Sequence, residues 1–278
     1  MDMLQNPRAC NLKVRRSNEF SRDTVYQRLK PLGLDFFPVS LPKHEQDHAF
    51  SRLFISSIYG GSVKGSRPAI GASFFDKTGL KDFLYLNLEH HLHAPQVPGA
   101  PGLYLSLTMS GKGPGIDISG VWIVFTRLAS DEWGYMGLYE LKLSQPLRKE
   151  EWLVQSEKVR HGWAKRILDN SWGISCRARI ACRKAFGREP TNEEAGAGAS
   201  GEYGSITHED VVNALINGEE TLNVWTMKCV GYDVGLQRNL IENVKTWVRP
   251  PPRFAGGKAA TSVRGNRKGK KPQPMNGQ

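Results

Sequence analysis

GVWIVFTRLASDEWGYMGLYELKL, residues 120–143, decides the fold. Its two runs, GVWIVFTRL and EWGYMGLYELKL, are dense in aromatic and β-branched residues, the types that suit a pleated, half-buried surface. In the second run a period of two puts Trp133, Tyr135, Gly137, Tyr139, Leu141 and Leu143 on one face and Glu140 and Lys142 on the other. That alternation predicts a strand with one face on a core and one toward water. Upstream, LYLNLEHHL and GLYLSLT have the same character, and the clusters APQVPGAPG and SGKGPGIDISG separate the runs. Together they predict one antiparallel sheet.

Past Pro146 the period becomes helical. RKEEWLVQ, SEKVRHGWAKRILDN with Val159, Trp163 and Ile167 at steps of four, and ISCRARIACRKAFG ending at Gly187 predict three helices. EAGAGASGEYGS reads as a flexible insertion. Thr207, with Asp210 three residues on, begins another helix that Gly218 stops. TLNVWTMKCVGY is apolar on both faces, as a central strand is, and Asp233 caps a last helix through Trp247.

Before the sheet, SNEFSRDTVYQRLKPLG predicts a short helix, and HEQDHAFSRLFISSIYGG a second one with Phe50, Leu53, Phe54 and Ile58 on one side. The expected organisation is an unstructured start over residues 1–15, one α+β domain over 16–248, and a disordered basic tail over 249–278. In that domain a curved antiparallel sheet or small barrel packs on the helices of the C-terminal half.

The net charge of +11 is unevenly placed. Arg249, Arg253, Lys258, Arg264, Arg267, Lys268, Lys270 and Lys271 meet no acid after Val248, so residues 1–248 carry +3. A polyanionic partner is therefore expected at the tail, whose composition does not fold alone. No run reaches the roughly 20 apolar residues of a membrane span, and the start lacks the apolar stretch of a secretory signal. Four dispersed cysteines and no Asn-x-Ser/Thr acceptor suit a reducing compartment, so the expectation is an intracellular protein, nuclear or cytoplasmic.

Motifs with chemistry are sparse. SGKGPG, residues 110–115, imitates a phosphate loop, but Ser106 stands where the first glycine belongs and Gly113 where Ser or Thr would hold magnesium. His90, His91 and His93 form the densest imidazole group, with His91 and His93 on one face if the strand LYLNL runs on to them. They are the metal-ligand candidates; a dedicated site needs more ligands than this spacing supplies. Trp122, Trp133, Tyr135 and Tyr139 are core residues in the preferred reading and a stacking platform for a flat ligand in the other. Arg177, Arg179, Arg183 and Lys184 offer a phosphate-contacting helix face, to which the tail adds Arg264, Arg267, Lys268, Lys270 and Lys271.

FISSIYGG, HHLHAPQVPGAPGLYLSL, WGYMGLYELKLSQPLRKEEWLVQSEKVRHGWAKRI, RARIACRKAFGREPTNEE and NVWTMKCVGYDVGLQRNLIEN resemble an uncharacterised domain of fungal, chiefly mushroom-forming, proteins. The resemblance spans about residues 50–247 and implies no established activity. A shorter likeness joins YMGLYEL to the Y-D-G-L-Y strand of the barrels that read methylated cytosine, with Met136 in place of the Asp; it implies a small twisted barrel.

The functional expectation is a non-enzymatic binding or adaptor module, without a cofactor, whose basic tail grips nucleic acid weakly and in a salt-sensitive way. The alternative is an orphan enzyme or metal-dependent hydrolase built on His90–His93.

Overall fold

The computed structural model describes residues 4–11, 20–107, 118–191, 194 and 206–251. The SGKGPG loop, nearly all of EAGAGASGEYGS and the tail cations from Arg253 onward lie outside them. The chain divides into two units, residues 1–247 and 248–278. The first unit holds the sheet and the helices.

Six strands form the sheet: β1 (Ala49–Phe50), β2 (Phe83–Asn87), β3 (Gly102–Leu107), β4 (Gly120–Ala129), β5 (Glu132–Leu143) and β6 (Leu222–Gly231). Their order is β2-β4-β5-β6-β3, with β1 paired to the start of β5. The sheet is mixed, not wholly antiparallel: β2 runs parallel to β4, with Phe83 opposite Ile123 and Asn87 opposite Arg127. The chain leaves β2 for the far edge of the sheet, forms β3 there against β6, and only then enters the centre as β4.

Helices cover both ends of the chain's path. Ahead of β2 come α1 (Arg22–Leu29), α2 (Lys43–Gln46), α3 (Arg52–Tyr59) and α4 (Ala72–Thr78); behind β5 come α5 (Lys149–Leu153), α6 (Glu157–Asp169), α7 (Ile174–Phe186), α8 (His208–Asn217) and, after β6, α9 (Val234–Val244). The caps follow the sequence. Thr207 and Asp210 close a reciprocal capping box on α8, the Asp233 side chain accepts from Leu236 N–H, and Gly187 and Gly218 end α7 and α8 in left-handed conformation. The single helix expected over 44–59 is two, because the Ser51 side chain accepts from Phe54 N–H and starts α3 afresh after β1.

Alternating side chains divide the core into three clusters. One face of the sheet carries Leu84, Leu86, Val124, Tyr139, Leu141 and Met227. The other face packs Phe83, Tyr85, Phe125 and Tyr135 on α3 and α9, and Leu103, Leu105 and Val224 on α1, α6 and α8. The expected single face of β5 is broken midway. Phe125 pairs with Tyr135 and Val124 with Gly137, so Met136 has no partner opposite and the parity of the strand reverses there. Gly137 takes φ 129°, and a Cβ on it would lie 2.9 Å from both Cys229 Sγ and Gly231 O. Trp133 and Tyr135 therefore share a face opposite to that of Tyr139 and Leu141, and Leu143, at 55% exposure, leaves the core altogether.

Candidate functional site

The two edge strands of the open sheet, β2 and β3, both line one cleft of ≈ 1350 Å³, which reaches to α6 and the turn after it. Among the described residues its walls carry six cations (Arg52, Lys64, Arg67, Arg127, Lys165, Arg166) and two carboxylates (Glu89, Asp169). Both carboxylates are already engaged, Glu89 by Arg127 at 3.5 Å and Asp169 by Lys165 at 2.8 Å. Among the described residues no carboxylate forms an ion pair with Arg52, Lys64, Arg67 or Arg166.

Arg52 is the most constrained of the four. It opens α3, whose first turn contains no acid, so its charge sits at the positive end of the helix. It is nonetheless only 5% exposed, with its guanidinium over the ring of Tyr85 on β2. Gly60 and Gly61, both left-handed, reverse the chain after α3, so that the following loop returns along β2, where Tyr85 N–H donates to Ser66 O. That loop supplies Ser62 O and Gly65 O to Arg52 Nη2, while Nη1 is buried with no hydrogen-bond partner. Burial lowers the Arg52 pKa, and Tyr85 opposes the shift. A buried cation without a counter-charge is costly, and an anion in the cleft offsets that cost.

Arg67, from the loop before α4, and Arg166, from α6, line the same cleft. Burial raises the Tyr104 pKa, and the charges of Arg67 and Arg166 act to lower it. Arg166 lies 4.5 Å from the Trp163 ring and 5.5 Å from that of Trp172, donates to His90 O at 3.3 Å, and is pushed down to about 10 by burial. His91 stacks on Tyr104 with centroids 4.7 Å apart, and its buried Nδ1 has no partner. Trp172 is 42% exposed, and Trp133 meets Tyr85 edge-on at 5.7 Å.

The histidines do not continue a strand. β2 ends at Asn87, whose carbonyl accepts from both His90 and His91 N–H, and the chain turns. His91 faces the cleft, whereas His93 Nε2 accepts from Phe20 N–H at 3.0 Å, in a different environment. Burial, then Arg166 and His90, lower His91 to about 3, and burial lowers His93 to about 4, so both rings are neutral near pH 7. Among the described residues no group of three or more His, Cys, Asp or Glu is placed to hold a metal ion.

The basic residues of α7 have partners within the fold. Arg179 and Arg183 both bind Glu220, whose side chain is fully buried; Arg183 also pairs with Glu189, and Lys184 with Asp210. Arg177 donates to the carbonyls of Ile167, Leu168 and Asn170 and so caps the end of α6. Of the aromatic group, Tyr135 and Tyr139 are fully buried, Trp122 donates to Ile118 O, and only Trp133 reaches the cleft. Sequence reasoning missed Arg52, Arg67 and Arg166. The one signal was an arginine in the buried stripe of SRLFISS.

Residues 49–243 match a domain of unknown function, DUF6697. The chain belongs to that family. The DUF6697 span begins at β1 and ends within α9, and it contains every described residue lining the cleft. No curated protein and no solved structure matches the chain.

Proposed function

We propose that the DUF6697 domain is a binding module whose cleft takes an anionic ligand. Arg52 carries the reading: a buried guanidinium in the cleft wall has one nitrogen without a partner, and among the described residues no carboxylate pairs with it. Arg67, Arg166 and Lys64 extend the unneutralised charge across the opening. The cations from Arg249 onward, which no acid follows in the sequence, supply a salt-sensitive contact for nucleic acid or another polyanion, because Lys and Arg bind phosphates without reading sequence. The module acts inside the cell. The likeness of YMGLYEL to methylcytosine readers falls on the bulge at Met136 and supports a strand shape only.

Calorimetric titration of the full chain with inorganic tripolyphosphate tests the cleft. The expected result is saturable binding that Arg67→Gln/Arg166→Gln weakens by at least about ten-fold, as loss of charge-assisted hydrogen bonds does. Equal binding by the variant would place the contact in the tail and rule out the cleft.

A further inference from the structure

The cleft is larger than a simple anion site requires, and its walls are aromatic. A phosphate or sulfate fills a small part of ≈ 1350 Å³, and the four cations that pair with no carboxylate among the described residues exceed what one phosphate neutralises. The rest of the wall is suited to planar, partly polar matter. Trp172 offers an exposed indole beside Arg166, Tyr104 lines the cleft with His91 stacked on its ring, and Trp133 lines it edge-on to Tyr85.

Building on the anion-binding role proposed for the cleft, we infer that the ligand is a nucleobase joined to more than one phosphate, either a nucleoside polyphosphate or a short single strand of nucleic acid. The phosphates lie against Arg52 Nη1, Arg67 and Arg166, and the base stacks on an indole of the wall. Stacking on an aromatic or guanidinium plane is available to every base, so the cleft selects a base-bearing polyanion without selecting sequence. An acidic peptide would satisfy the charge and leave the indole faces unused.

The test uses the full chain and five probes: adenosine triphosphate, inorganic tripolyphosphate, adenosine, a tetranucleotide and a poly-glutamate peptide, each followed by calorimetry and tryptophan fluorescence. Adenosine triphosphate or the tetranucleotide is expected to bind at least about ten-fold more tightly than tripolyphosphate, the gain of one stacked base. It should also quench tryptophan emission, and adenosine alone should bind weakest. The arm that binds more tightly identifies the source. In Arg67→Gln and Arg166→Gln, both partly buried positions, the quench should be lost while near-ultraviolet dichroism is retained. Tripolyphosphate or poly-glutamate binding as tightly as both base-bearing probes would overturn the inference and leave the anion cleft standing. Failure of every probe to bind would overturn both.

Discussion

Tyr135 and Tyr139, four residues apart on one strand, lie on opposite faces of the sheet. Each is fully buried, Tyr135 with Phe125 and Tyr232 beneath α3 and α9, Tyr139 with Leu141 and Met227 on the other side. The unpaired Met136 separates them and lets one strand contribute to two cores.

Replacing Tyr139 with Ala is expected to cost about 3–5 kcal/mol, the range for a buried aromatic deletion. Tyr139→Phe should cost about 1–3 kcal/mol, because Ala100 O loses the hydroxyl that donates to it at 2.8 Å. Urea denaturation measures both. A Tyr139→Phe protein as stable as wild type would mean that water replaces the hydroxyl.

Glu220 joins α7 to the loop before β6 by binding both Arg179 and Arg183 in the interior. Glu220→Ala removes the buried carboxylate that the buried Arg179 guanidinium binds and is expected to destabilise by about 3–5 kcal/mol. Equilibrium unfolding with unchanged midpoint and slope would contradict this.

His91 and His93 set an acid limit. Their folded pKa values, about 3 and about 4, lie below the ordinary 6.5, so between those values the unfolded chain binds more protons than the folded one. Stability is fully present above about 6.5 and is lost as pH falls through this window. His93→Gln, whose amide oxygen can still accept from Phe20 N–H, should lose less stability than wild type between about pH 7 and pH 5. Parallel stability curves for the two proteins would show that another group sets the limit.

The tail is expected to be dispensable for folding and to account for sequence-independent, salt-sensitive binding to long nucleic acid. A chain ending at Val248 should unfold within about 1 kcal/mol of the full chain, the scatter of changes away from a core. A larger loss would show that the tail packs on the domain.

Local rules made the strands and helix ends legible in the sequence. The carboxylates of the caps at Asp210 and Asp233, and the glycines at 187 and 218, act close in the chain to where they stand. The bulge was not legible, since an unpaired Met136 leaves a period of two intact in the sequence while breaking it in space. The parallel pairing of β2 with β4 was hidden for the same reason that the cleft was. Both depend on β3 crossing to the far edge, which brings Arg52, Arg67, Tyr104 and Arg166 together from positions far apart in the chain. In the sequence Arg67 and Arg166 resemble ordinary solvated residues. Their burial, and the lack of a paired carboxylate among the described residues, distinguish them.

The most direct measurement is a crystal structure of the full chain grown with adenosine triphosphate. Phosphate oxygens are expected about 3 Å from Arg166 and from Arg52 Nη1, with the base against an indole of the cleft. Clear density for the cleft side chains with the nucleotide bound elsewhere, or with a carboxylate of the chain itself folded onto Arg52, would contradict a nucleotide-binding cleft.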